Sequence, residues 1–392
     1  MRNIIGNPAE GDDFFDRPKI LAKLRRQLEN SANILLVAPR RVGKTSVVIR
    51  LCEEWRAEPH RKAVYLNVEG RGEELAFAEK LIDELAKAGL HPELMTRAMG
   101  FFSKLRQKLA GGIQVPGLEI SLGDATDVDH STLGKLLESI FRNIEESDTT
   151  FLIAIDELPE FLLTLQKSQE GPRRVAAFLH WLRELRQTYR KQIRWLFLGS
   201  IGLDNFVEDQ KLQKAINDLQ IVALDAFTPE EADNFLQQLG DSNKLPLEQA
   251  ERRDIIKYVG WPLAFHLQLV FHQLVELESR SIDLAVDALL RPENFGYYDT
   301  WRQRIDDQFS VVDAAACKEI LSHLCRNPGG RDRGQILDVL MAKNTANQEQ
   351  VDEQLTRLLI VLQRDGYLLQ SDRQYAFRSF LLREYWFRRH VA

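Results

Sequence analysis

Two short stretches of this 392-residue chain carry side chains at spacings that could do chemistry. The first is "NILLVAPRRVGKTS", Asn33 to Ser46, where Lys44 and the hydroxyl of Thr45 follow Gly43. Ile34 to Val37 is wholly apolar, as a buried parallel strand requires. Ser46 to Trp55 then shows helical periodicity through Val47, Val48, Leu51 and Trp55. A strand, a tight loop and a helix N-terminus converge loop amides and the positive end of the helix dipole on one anion. Ala38-Pro39-Arg40-Arg41-Val42-Gly43-Lys44-Thr45, with Ser46 behind it, fits the phosphate-loop spacing, with Ala38 in place of the usual first glycine. In that pattern the loop cradles ATP, Lys44 reaches the β- and γ-phosphates, and Thr45 holds Mg²⁺. The plainer alternative is a solvated basic loop.

The second stretch is "TTFLIAIDELPEF". A short apolar strand, Phe151 to Ile155, runs into the consecutive carboxylates Asp156 and Glu157. The C-terminal end of a buried strand is where open α/β sheets bind ligands. There Asp156 is expected to hold Mg²⁺ through water, and Glu157 to polarise a water for attack on the γ-phosphate. An acidic helix N-terminus is the bland alternative. A further strand, "IRWLFLGS", ends at Ser200, the candidate sensor of the γ-phosphate.

These side chains need a scaffold. "AVYLNVEG" (Ala63 to Gly70) and "LQIVALDAF" (Leu219 to Phe227) supply two more strands, with amphipathic helices between. Five strands alternating with helices predict an α/β fold, a parallel sheet with helices on both faces. Between Gly70 and Ser147, "GGIQVPGLEISLG" (Gly111 to Gly123) reads as a β-hairpin insertion.

The order of phosphate loop, insertion, "IDE" strand and "GS" strand resembles the AAA- and STAND-type P-loop ATPases, and most closely their archaeal-ATPase and origin-recognition-like branch. "FFDRPKILAKL" (Phe14 to Leu24) is similar to the family's adenine-side motif, although Asp16 stands where glycine is usual and Pro18 where glutamate is usual. "VGWPLAFHL" (Val259 to Leu267) resembles the Gly-x-Pro-Leu-Ala signature of the NB-ARC relatives, which implies that Pro262 contacts the nucleotide. "FTPEEADNFL" opens a lid helix with Thr228 as N-cap, Pro229 at the first position and Glu231 closing a capping box. The segment Ile201 to Gln220, where ring-forming relatives carry an arginine finger, holds Lys211 and Lys214 but no arginine. That disfavours a constitutive hexameric motor.

After about Asn294 the pattern changes. Helices over Ala314 to Arg326, Gly334 to Lys343 and Val351 to Arg364 precede a hairpin turning at Ser371-Asp372-Arg373, the winged-helix order. The third helix carries Asp352 and Glu353, poor material for phosphate contacts, so contact with duplex DNA would have to come from Arg373, Arg378, Arg383, Arg388 and Arg389; the alternative is a winged helix docked on the ATPase core as a clamp. The predicted organisation is a P-loop core over 1–227, a helical lid over 228–300 and a winged-helix domain over 301–392.

A net charge of −6 and 44% hydrophobic residues describe a well-cored globular protein with no global pull toward nucleic acid or anionic membrane. The cysteines, Cys52, Cys317 and Cys325, form neither a disulfide framework nor a zinc pattern. With no apolar signal region after Met1 and no membrane-length apolar run, a cytoplasmic location is expected. Three function classes stay open. One is a slowly hydrolysing Mg²⁺–ATP switch that answers a protein partner or other trigger and oligomerises with nucleotide. The others are a DNA-binding loader or initiator and a nucleotide-stabilised scaffold with little turnover.

Overall fold

The structure, a computed structural model, describes residues 1–90, 96, 100, 130–199, 202–343 and 347–391. The hairpin expected over 111–123 and the sensor candidate Ser200 lie outside the described residues. The chain divides into two compact units, one of residues 17–37 and 47–222, the other of residues 1–16, 38–46 and 223–392.

The first unit is built on α1 (Pro18–Glu29), β1 (Asn33–Val37), α2 (Lys44–Arg56), β2 (Arg61–Asn67), α3 (Glu74–Lys87) and α4 (His130–Glu145). It continues through β3 (Thr150–Asp156), α5 (Leu158–Gln166), α6 (Gly171–Thr188), β4 (Ile193–Leu198), α7 (Leu203–Asp209) and β5 (Leu219–Ala223). The five strands lie in the order β2-β3-β4-β1-β5, and β2–β3, β3–β4 and β4–β1 pair in parallel. Both faces of the sheet are apolar because both are covered. Ile153, Ile155, Trp195 and Phe197 join a core with Phe77 of α3, Phe141 of α4, Phe161 of α5 and Phe178 of α6. The alternate residues Leu152, Ala154, Leu196 and Leu36 point the other way and are also buried, on the side to which α1 gives Leu24 and Leu28 and α2 gives Val48 and Leu51. A parallel strand buried on both sides needs an uninterrupted apolar run, and β3 has one from Phe151 to Ile155.

All five expected strands are present, with shifted ends. β2 stops at Asn67 because the Asn67 side chain accepts from the Glu69 N–H at 2.8 Å and Gly70 then turns with φ +72°. Helix α2 starts at Lys44, two residues before the apolar periodicity begins, so Lys44 and Thr45 sit in its first turn.

The second unit begins with five helices: α8 (Pro229–Ser242), α9 (Gln249–Val259), α10 (Ala264–Glu276), α11 (Ile282–Leu289) and α12 (Gly296–Gln308). The capping box at α8 forms as expected, with Thr228 Oγ1 accepting from the Glu231 N–H and the Glu231 carboxylate from the Thr228 N–H. Then come α13 (Val311–Cys325), β6 (Arg331–Asp332), α14 (Arg333–Met341), α15 (Gln348–Arg364), β7 (Leu368–Ser371), β8 (Gln374–Phe377) and α16 (Phe380–His390). The small antiparallel sheet runs β6-β8-β7, which completes the winged-helix order. Asp372 and Arg373, at φ +49° and +65°, make the two-residue left-handed turn that the twist of a hairpin favours. Strand β6 has two residues, too few for any periodicity to announce it.

This unit packs around large aromatics. The fully buried rings of Trp301 and Tyr367 meet edge to face at 5.1 Å, and the Tyr367 hydroxyl donates to the Trp301 carbonyl at 2.5 Å. Beside them Arg304 and Asp365 form a buried ion pair at 3.2 Å. The N-terminal residues belong here too. Asn3 donates to the Gln268 carbonyl at 3.2 Å, and the Phe15 ring sits edge-on to Phe227 and Phe235. Among the described residues, no helix is long and apolar enough to cross a membrane.

Candidate functional site

The phosphate loop leaves the C-terminal end of β1 and closes on α2. Arg41 and Gly43 have φ of +65° and +94°, and this double left-handed excursion curls the backbone. Lys44, 7% exposed, bridges the curl by donating through Nζ to the carbonyls of Ala38 at 3.2 Å and Pro39 at 3.0 Å. Val42 is buried and anchors the loop, and Ser46 Oγ accepts from the Ala9 N–H at 2.9 Å. Loop amides with a buried ammonium at a helix N-terminus are chemically an anion site. The Arg41 guanidinium lies 4.3 Å from the centre of the Phe265 ring, with Nε buried and without a hydrogen-bond partner among the described residues. Burial, with Arg40 beside it, holds its affinity for a proton below the ordinary value.

The carboxylates are built on the sheet. Asp156 is the last residue of β3 and is 1% exposed. Its Oδ1 accepts from the N–H of Glu157 at 2.9 Å, and its Oδ2 from the Tyr65 hydroxyl at 2.9 Å. Glu157 takes a left-handed conformation, φ +58° and ψ +33°, as N-cap of α5, so the chain turns sharply straight after the strand. Gly199 follows β4, and a Cβ there would lie 2.6 Å from Pro159 Cδ and 3.5 Å from Glu157 Oε2. Nothing in the sequence singled out Tyr65, and the "GS" strand end gave no physical reason for a glycine at 199. Tyr65 reads as one more apolar strand residue, and the need for glycine at 199 comes from a neighbour forty residues away in the chain.

Pro262 follows the helix-ending Gly260 (φ +71°) and Trp261, and its carbonyl accepts from the Phe227 N–H at 3.1 Å. Trp261 is buried, with the Arg378 guanidinium 4.5 Å from its ring centre. A Cβ on Gly366 would overlap the Trp261 ring and lie 3.3 Å from Pro39, so the turn after α15 is seated on both. His266, on α10, is wholly buried with Nδ1 3.5 Å from the Ser379 hydroxyl, and burial lowers its pKa to about 4.

Of the five arginines considered for DNA, four lie against this chain's own residues. Arg378 covers Trp261, Arg383 pairs with Glu384 at 2.5 Å, Arg388 reaches Asp287 at 3.2 Å, and Arg389 approaches Asp299 at 4.0 Å. Arg373, at the hairpin turn, is exposed. On α15, Asp352 pairs with Arg333, and Arg357 with Asp313 at 2.9 Å. Arg186 of α6 is buried against Asp218 at 2.8 Å, which makes it a structural residue.

Among the described residues no three His, Cys, Asp or Glu side chains gather as a metal cage. A Mg²⁺ held largely by phosphate and water needs no such cage, and a hydroxyl such as that of Thr45 and a carboxylate such as that of Asp156 are each hard oxygen donors of the kind it takes. The donor chemistry fits.

No protein-family model matches the sequence, and no curated protein matches it. Solved structures do. The Walker-type ATPase PABY2304 of Pyrococcus abyssi is similar with a TM-score of 0.62 at 17% identity, over 98% of this chain and 99% of that one. The ORC2 protein of Aeropyrum pernix, solved as ADPNP–ADP complexes, is similar with a TM-score of 0.53 at 15% identity, over 92% and 88%. At such identities the likeness is one of architecture, and the chain has the fold of archaeal Walker-type and origin-recognition P-loop ATPases.

Proposed function

We propose that the chain binds Mg²⁺–ATP, hydrolyses it slowly, and acts as a nucleotide-dependent switch. The observation that carries this reading is the pairing of two strand ends. The phosphate loop leaves β1, and the Asp156–Glu157 turn leaves β3, both at the C-terminal edge of one parallel sheet. That one similar structure is a Walker-type ATPase and the other was solved as ADPNP–ADP complexes supports a nucleotide ligand.

In this reading the loop from Ala38 to Ser46 wraps the phosphates, and the Lys44 ammonium neutralises the β- and γ-phosphates. Thr45 and Asp156 would hold a Mg²⁺, Asp156 through water, and the ion would supply positive charge beside the γ-phosphate. Glu157 accepts a proton from the attacking water, Ser200 reads the γ-phosphate, and Pro262 packs on the nucleotide. The divisions at 227 and 300 mark the core, lid and winged helix whose arrangement the nucleotide would set. That the phosphate loop groups compactly with the lid and winged-helix segments supports a mechanical readout. So does the engagement of the terminal arginines with the chain itself, which favours the switch over a DNA loader.

Nucleotide titration and turnover of Lys44→Ala test the reading, with oligomeric state measured with and without duplex DNA. Loss of nucleotide affinity and ATP-dependent assembly insensitive to DNA are expected. A DNA-stimulated rate would favour the loader, and tight ADP without turnover the scaffold.

A further inference from the structure

We propose that Tyr65, on β2, is the positioning residue that fixes the Asp156 carboxylate for the metal. This rests on the reading of Asp156 as the metal-holding carboxylate. In the parallel register Tyr65 stands opposite Ala154, and Asn67 opposite Asp156. Paired residues of neighbouring parallel strands share a face, and residues two apart along a strand share it too. Tyr65, Ala154 and Asp156 therefore project from the same side of the sheet. The small Ala154 leaves room for the Tyr65 ring to lie diagonally and bring its hydroxyl within 2.9 Å of Asp156 Oδ2.

An aspartate at a strand end has two torsions, and a metal held through water needs the carboxylate plane in one orientation. Here one oxygen is tied to the backbone by the Glu157 N–H, a bond that depends on the left-handed turn at Glu157. That bond alone leaves the carboxylate free to swing about Oδ1. The phenol pins the second oxygen, so the carboxylate is held by a donor from the turn after β3 and a donor from β2. Each carboxylate oxygen has two acceptor positions, so one phenol does not by itself exhaust Oδ2. Because the aspartate is buried, the bond is not diluted by competing solvent. Partners of this kind, one step removed from a metal, typically carry 10–100-fold in metal affinity.

Equilibrium binding of ADP with excess Mg²⁺ and with EDTA tests the proposal, read for wild type, Tyr65→Phe, Asp156→Asn and the double variant. The ratio of the two affinities measures the metal's contribution and needs no turnover. Tyr65→Phe keeps the ring and should reduce that ratio by roughly 10-fold or more, leaving the EDTA affinity unchanged. The double variant should lose no more than Asp156→Asn alone, since the phenol acts through that carboxylate. If Asp156→Asn lowers the ratio and Tyr65→Phe does not, Tyr65 is overturned while the reading of Asp156 stands. If Asp156→Asn leaves the ratio intact, that reading falls and takes the proposal with it. Equal weakening with and without Mg²⁺, or additive losses in the double variant, would reduce Tyr65 to a packing residue. Should Tyr65→Phe melt at a lower temperature, the ratio is read for both proteins at a temperature where each is folded, and an unchanged ratio there overturns the proposal.

Discussion

The phosphate loop and the carboxylate turn are held by different physics. The loop is held by its own backbone, through two positive-φ residues and the bridge from Lys44 to the carbonyls of Ala38 and Pro39. Around it stand aromatic and cationic contacts, with Arg41 on Phe265 and Gly366 against Pro39. The carboxylate turn is held by the sheet, with Asp156 locked in strand register and tied to Tyr65, and Pro159 pressed against Gly199. Stacking and van der Waals contacts can be exchanged for others at small expense, whereas a central strand cannot shift register without exposing its apolar faces. The lesson is a division of labour. The sheet holds the Asp156–Glu157 turn by its register, whereas the loop is surrounded by contacts that can be exchanged.

The largest expected effect breaks the fixed half. Glu157→Gln should slow single-turnover hydrolysis by roughly 10²–10⁴-fold, the contribution of a positioned general base, with nucleotide affinity unchanged. Gly199→Ala should give a smaller loss in the same direction, because the added methyl pushes on Pro159 and, through it, on Glu157. Equal loss of binding and rate in Glu157→Gln would remove Glu157 from its role.

Next in size is the buried Arg304–Asp365 pair, one residue from the glycine that seats against Pro39. Arg304→Met leaves a buried carboxylate without its cation and should lower stability by about 3–5 kcal/mol in denaturant titration. If the unit holding the loop is suited to rearrange, this variant should also release ADP faster. An unchanged release rate would detach the pair from the loop.

His266 offers a pH test of the same region. Its folded pKa of about 4 lies below the 6.5 of an exposed histidine, because burial penalises the cation and Arg41 adds repulsion. As pH falls the unfolded chain takes the proton first. Stability is therefore complete above pH 6.5 and declines as pH falls toward 4, by on the order of 3 kcal/mol over that window. His266→Leu should flatten this slope in melts recorded between pH 7 and 4.

The smallest effect concerns the chain end. Arg388 and Arg389 make exposed pairs worth at most about 1 kcal/mol, so mutating both to Ala should hardly move the melting temperature. If they clamp the closed form, ADP release should quicken and DNA binding stay absent. DNA binding that weakens for all sequences and flattens in salt dependence would instead favour the loader.

Much of this was legible in the chain itself. The five-strand sheet, Lys44-Thr45 at a helix start, Asp156-Glu157 at a strand end, the capping box at Thr228 and the winged-helix order all follow from local rules of period, capping and turn chemistry. These act between residues a few positions apart, and a sequence displays such neighbours directly. What only the tertiary structure decided joins distant residues. It includes Tyr65 against Asp156 across ninety-one positions, Gly199 against Pro159, Trp261 against Gly366, and the first sixteen residues grouping with the last hundred and seventy. No period or motif encodes those meetings, because they depend on which strands become neighbours and in what register. That choice is made by the burial of the whole apolar surface at once.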